Sequence, residues 1–137
     1  MATIKNLSII TGTFNEEGNV GELYERICKT FIDELPNYTF ELIVIDNAST
    51  DKTVGILKEI ALKDKRLKII VNNRNFGHIR SAYHAFLQAK GEAVIAMVSD
   101  LQDPPELIPQ FVKRWEEGFK IVLAQKTNSE ESPLFFL

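Results

Sequence analysis

The sequence of 137 residues has a single cysteine, Cys28, which excludes an intrachain disulfide and a cysteine-based zinc framework. A reducing, cytoplasmic setting fits that composition, with Cys28 as filler on an apolar helix face. Basic residues are also scarce relative to acids, 16 Lys and Arg against 19 Asp and Glu, for a net charge of -3. That balance argues against general nucleic-acid binding, which needs a basic footprint, and leaves room only for a local basic pocket. No apolar run approaches the roughly 20 residues of a membrane span. The apolar run Leu7 to Ile10 is shorter than the core of a signal peptide, and Met1 to Asn6 carries only Lys5. Two phosphate-binding loops are missing as well. Without Gly-x-Gly-x-x-Gly or Gly-Lys-Ser/Thr, a dinucleotide dehydrogenase and a P-loop phosphotransferase are both disfavoured. Any bound phosphate must then be balanced by a metal or by arginines, of which Arg74 and Arg80 are candidates. Repeats, low-complexity tracts and long linkers are absent too, so residues 1–137 read as one domain with a sizeable core.

What the sequence does contain is an alternation. Leu7 to Thr11, Phe40 to Ile45, Leu67 to Val71 and the run from Val94 are short apolar segments with strand character, and Ile121 to Ala124 is expected to form a fifth strand. Between them lie helical patterns. Asn19 with Glu22 reads as an N-cap, followed by a stripe of Val20, Leu23, Ile27, Phe31 and Leu35 that Pro36-Asn37 ends. Ser49 or Thr50 is expected to cap a second helix with Val54, Leu57, Ile60 and Ala61 inward. A third helix carries Ile79, Ala82, Tyr83 and Phe86 on one side and closes at Gly91. A fourth carries Leu107, Ile108, Phe111, Val112 and Trp115. This order predicts an α/β fold: a mainly parallel, twisted, Rossmann-like sheet with helices on both faces. Ligands of such sheets bind beyond the carboxyl ends of the strands. The polar loops Thr13 to Glu17, Asp46 to Asp51, Asn72 to His78 and Ser99 to Asp103 should therefore share one edge, and their carboxylates, amides and arginines suit a nucleotide with phosphates.

The stretch from Val94 to Glu106 concentrates the chemistry. Its apolar run ends in Ser99-Asp100-Leu101-Gln102-Asp103-Pro104-Pro105-Glu106. Asp103 reads as a helix N-cap with Glu106 closing a capping box. Asp100 and Gln102 are not explained that way, and a carboxylate with an amide oxygen two residues on suits a hard divalent cation. The competing reading of Asp100 is a turn aspartate that bonds its own backbone. His78 and His84 receive no catalytic role.

These loops resemble those of family 2 glycosyltransferases, inverting enzymes with the GT-A fold, and within them the dolichyl- and undecaprenyl-phosphate sugar transferases. The matching pieces are Thr13-Phe14-Asn15-Glu16-Glu17, Val44-Ile45-Asp46-Asn47-Ala48-Ser49-Thr50-Asp51, Arg74-Asn75-Phe76-Gly77 and Asp100 to Leu107, in the family's order and spacing. The resemblance implies a UDP- or GDP-sugar donor held by Thr13, Phe14, Glu16, Asp46, Asn75, Ser99 and Asp100. Within that set, Phe14 and Glu16 would meet base and ribose, and Asp46 would hydrogen-bond the base. Asp100, the catalytic residue, and Gln102 would hold Mg²⁺ or Mn²⁺ against the diphosphate, whose departure the cation assists.

Two departures from the family pattern stand out. Gly12 replaces a common proline, and Val98 occupies the place of the first aspartate of Asp-x-Asp, which implies weak metal affinity without nucleotide. The resemblance also implies further chain that shapes the acceptor site. The sequence is thus expected to be the donor-binding part of a longer transferase at the cytoplasmic face of a membrane, reached through a missing C-terminal part, with homo-oligomerisation open. The expected acceptor is a polyprenyl phosphate, whose oxyanion needs no general base; the apolar Leu134 to Leu137 leans the same way. The alternatives are a transferase that extends a cell-surface saccharide and a non-catalytic sugar-nucleotide-binding module. A phosphoryl-accepting signalling domain would pair a strand-end aspartate with Lys126, but the third strand here ends in Asn72.

Overall fold

Four runs rich in Ile, Val and Leu become four strands, all parallel. In chain order the elements are β1 (Lys5–Thr13), α1 (Val20–Glu34), β2 (Tyr38–Asp46), α2 (Thr53–Lys63), β3 (Leu67–Val71), α3 (His78–Gln88) and β4 (Ala93–Val98), then a 3₁₀ turn (Pro105–Leu107) and α4 (Ile108–Glu116). The computed structural model describes residues 3–126, and the apolar end Leu134 to Leu137 lies outside them. The sheet order is β3-β2-β1-β4. Moving from β1 to β3 the chain steps one way across the sheet, then returns past β1 to β4. Right-handed crossovers therefore place α1 and α2 on one face and α3 on the other.

The larger core lies on the first face, where Leu7, Ile9, Leu42 and Val44 meet Leu23, Ile27 and Phe31 of α1, Leu57 of α2 and Ile108 and Val112 of α4. The opposite face is thinner. Ile10, Ile43 and Ile45 meet only Ala85 of α3 among buried hydrophobic residues. The helix lies close to the sheet because its buried positions are small, Ser81 and Ala85. Its large residues consequently cannot fit underneath. The expected apolar side of Ile79, Tyr83 and Phe86 faces outward, with Ile79 74 % and Tyr83 65 % exposed, and Ala82 is exposed too.

Three other expectations are corrected. Among the described residues no fifth strand forms. Residues 121–126 have no regular structure, and Ile121 and Leu123 are 78 % and 86 % exposed, with no ladder partner to order them. Gly91 does not close α3, which ends at Gln88; it is a close-approach residue, since a Cβ there would lie 2.5 Å from the Ser8 backbone nitrogen. None of the three N-caps makes the side-chain bond expected of it. Asn19 does stand at the N-cap position of α1, its carbonyl accepting from Leu23 N at 2.9 Å, but its side chain turns back and Nδ2 donates to Glu16 Oε2 at 2.7 Å. Before α2 it is Asp51, not Ser49 or Thr50, that accepts from Thr53 N and Oγ1, at 2.9 and 2.5 Å. Asp103 makes no cap bond: the helical turn starts at Pro105, which puts Pro104 and not Asp103 at its N-cap position. Glu106 instead forks with Arg26 of α1 at 2.9 and 2.7 Å.

The strand edge remote from the polar loops is tied by a buried carboxylate. Glu41 accepts from Ser8 Oγ at 2.5 Å and Lys90 N at 2.7 Å and pairs with the Lys68 ammonium, linking β1, β2, β3 and the turn after α3. Burial pushes its carboxyl up, but the Lys68, Ser8 and Lys90 donors outweigh burial and hold it below its ordinary 4.5. A folded-state value below the unfolded one means that the network's contribution is complete above the ordinary range. It is lost as pH falls through the depressed value. Glu41→Gln should therefore lower the melting temperature at neutral pH and flatten the acid limb of a stability-against-pH curve; an unchanged acid limb would contradict the assignment.

Candidate functional site

The register sets the ends of β1, β2 and β3 level, with Thr13 beside Asp46 and Asp46 beside Val71, while Gly12 pairs with Val98 of β4. All four polar loops consequently emerge along one edge. The strand order reverses at β1, between its neighbours β2 and β4, so the loops after β1 and β4 flank the crevice where ligands of open α/β sheets bind. Ser99, buried, bridges them by donating to the Gly12 carbonyl at 2.9 Å.

The loops after β1 and β2 are interlocked. Asp46 is fully buried; its Oδ1 accepts from Thr13 Oγ1 at 2.9 Å and Ser49 Oγ at 2.5 Å, and its Oδ2 from Ser49 N at 2.8 Å. Asn15 Oδ1 accepts from Thr50 N at 2.8 Å, while Asn15 N donates to Ser49 Oγ at 2.9 Å. Glu16 N donates to Thr53 Oγ1 at 2.8 Å. Local bonds hold Asn15 and Ala48 in the left-handed region at φ 52° and 62°, which a side chain enters at a cost of about 1–2 kcal/mol. The interlock stabilises that conformation and leaves the Phe14 ring 49 % exposed at the rim. With its oxygens engaged and no exposed surface, Asp46 is accessible to a base only if the Ser49 hydroxyl turns aside.

A second hub joins the loop after β3. Asn47 Oδ1 accepts from Ser81 Oγ at 2.6 Å, Asn72 Nδ2 at 3.0 Å and Phe76 N at 3.4 Å. Beside it is a cavity of about 310 Å³ lined by Ile45, Asn72, Phe76, Arg80, Ser81 and His84. Arg74 stacks on the Phe76 ring at 4.6 Å. Asn75 is exposed and its Oδ1 accepts from Gly77 N at 2.8 Å. The hub residues Asn47, Asn72 and Ser81 were not singled out by the sequence reading. The available signal was a serine on the inward face of α3 facing two strand-end asparagines.

In the loop after β4, Asp100 is exposed, and its Oδ1 accepts from Gln102 N at 3.0 Å, the turn bond that its sequence context allows. Leu101 between them has φ 65°. That bond uses one oxygen and leaves the other open. Asp103 lies 3.6 Å from the Lys126 ammonium. Among the described residues no three His, Cys, Asp or Glu side chains cluster as a metal site would require. The donor set fits a divalent cation only as one carboxylate, Asp100, with an amide oxygen from Gln102, the other ligands coming from a bound molecule.

Residues 8–136 match the model of the family described as Glycosyl transferase family 2. A glycosyltransferase of Bacillus subtilis named YkcC, otherwise uncharacterised, is 37 % identical over 128 residues, covering 93 % of this chain and 39 % of the relative. The undecaprenyl-phosphate 4-deoxy-4-formamido-L-arabinose transferase of Proteus mirabilis is 35 % identical over 133 residues, with 94 % and 39 % covered. The chain thus spans about two-fifths of the length of these curated relatives. Among solved structures, S. aureus TarS (1–349) superposes with a TM-score of 0.67 at 27 % identity, over 82 % of this chain and 32 % of TarS. The same TarS fragment has also been solved with UDP, at TM-score 0.65 and 28 % identity, with the same shares covered. The parallel sheet, the four loops on its carboxyl edge and these likenesses agree: the chain belongs to glycosyl transferase family 2 and has the GT-A architecture.

Proposed function

We infer that the carboxyl edge of the sheet binds the nucleoside diphosphate of a sugar donor, and that residues 1–137 are the donor-binding domain of a longer inverting transferase. The observation that carries this reading is that the loops after β1 and β4 emerge where the strand order reverses, one with the half-exposed Phe14 and the other with an open carboxylate oxygen of Asp100. In this reading Phe14 stacks on the base and Glu16, whose Oε2 is braced by Asn19, meets the ribose. Asp46 and Thr13 hold the floor beneath the base, and Ser99 and Asn75 fix the walls that flank it. Asp100 and Gln102 hold Mg²⁺ or Mn²⁺, which when bound supplies the positive charge that eases departure of the diphosphate. The UDP complex of TarS, a structure of the same fold, supports a nucleotide as ligand. The name of the Proteus relative, an undecaprenyl-phosphate sugar transferase, supports a polyprenyl phosphate acceptor. Such an acceptor attacks as an oxyanion, so this chain needs no general base for it. A single displacement by that oxyanion inverts the anomeric centre.

Photolabelling with azido analogues of UDP and GDP, followed by peptide mapping, tests the placement. Label competed by the unmodified nucleotide is expected on peptides containing Phe14 or residues 46–51. Competed label confined to the opposite edge, around Glu41 and Lys90, would contradict it.

A further inference from the structure

The outward face of α3 is more apolar than the face it buries. At about 100° per residue, Ile79, Tyr83, Phe86 and Leu87 form one arc opposite Ser81 and Ala85, and all four are more than half exposed, from 52 % to 74 %. Arg80 and His84 flank this arc on one side, and His78 and Lys90 stand at its two ends. From Asn72 to Gly91 there is no Asp or Glu, although the whole chain carries 19 of them and a net charge of -3. Among the described residues Arg74, Arg80 and Lys90 make no ion pair. Glu41, which accepts from Lys90 N, is buried and paired with Lys68, Asp46 beside Asn72 is fully buried, and Glu92 follows the stretch in sequence.

We propose that this face of α3 docks on an anionic lipid surface. An apolar arc with a basic flank is what an interfacial helix presents, apolar side chains entering the acyl boundary while cations meet lipid phosphates. A second copy of the chain is a poorer occupant, because the same face offers no Asp or Glu to pair with Arg80. An acidic peptide would satisfy the cations and leave four large apolar side chains without partners. Neither the apolar arc nor Arg80 or His84 belongs to the residues that the proposed function assigns to the donor and metal, so the two readings stand or fall separately.

Co-sedimentation of the 137-residue chain with vesicles tests the proposal. Binding is expected to vesicles containing phosphatidylglycerol, not to pure phosphatidylcholine, and should weaken as salt is raised. Arg80→Glu should reduce the affinity on the order of tenfold, and the pair Tyr83→Ser with Leu87→Ser should reduce binding to the phosphatidylcholine level. Both variants are at exposed positions and should keep the wild-type circular dichroism and melting temperature. Equal sedimentation with both vesicle types, or full binding by folded variants, would overturn the proposal. So would absent lipid binding combined with a concentration-dependent dimer that Tyr83→Ser dissolves in ultracentrifugation.

Discussion

Asp100→Asn is expected to abolish the metal-dependent part of nucleotide binding while leaving the fold intact. The asparagine oxygen can still accept the Gln102 N–H, so the turn after β4 keeps its bond. What is lost is the only carboxylate that this loop offers without a neighbouring cation, since Asp103 faces Lys126. Altering groups that merely support a ligand commonly costs about 10- to 100-fold in metal affinity, and the loss of the ligand itself should be at least that large. Titration of UDP and GDP in Mn²⁺ reads this loss, and a thermal melt reads the fold. A variant that binds nucleotide in Mn²⁺ as tightly as the wild type would remove Asp100 from the metal site. A companion result is expected from the wild type. With Val98 at the end of β4 in place of a second carboxylate, Mn²⁺ alone should bind weakly, and tight binding to the nucleotide-free chain would contradict the one-carboxylate site.

Asp46→Ala should cost stability as well as binding. Three donors converge on this fully buried carboxylate, and two of them are hydroxyls that can turn elsewhere. The Ser49 N–H cannot. An unpartnered buried donor costs about 1–3 kcal/mol, and the freed loop no longer holds Ala48 at φ 62°. A loss of about 1–3 kcal/mol follows, a fall in melting temperature on the order of 10 °C for a chain of this length. Asparagine should rescue much of the loss, since its oxygen can accept from Ser49 N while its amide N–H₂ donates to the Thr13 hydroxyl. Hydrogen exchange localises the effect: Ser49 and its neighbours should lose protection before β1 does. Unchanged melting would mean that Asp46 does not hold these loops.

The strands and the common edge of the loops were legible because both rest on local pattern. Apolar β-branched runs separated by helical stripes admit few arrangements, and a parallel sheet places every strand's carboxyl end on one side. What escaped was non-local. Ile121 to Ala124 has the composition of a strand, but a strand exists only against a partner, and among the described residues β4 has none on that flank. The periodicity of α3 located a helix without saying which face turns inward. Closeness to the sheet selected Ser81 and Ala85, and the larger residues went outside. The caps failed for a related reason. Ser49 and Thr50 bond across to Asn15, a partner more than 30 residues away, which local motif rules do not consider. Asn47 was similarly hidden, since its role depends on β2, β3 and α3 meeting at one point.

Calorimetric titration of UDP and GDP into the 137-residue chain, first with Mn²⁺ and then with EDTA, tests the central claim most directly. The account predicts saturable binding of one of the two nucleotides that weakens sharply when EDTA removes the cation. Absence of binding by either nucleotide in Mn²⁺, with the chain shown to be folded, would contradict a donor site built from the four loops of this edge.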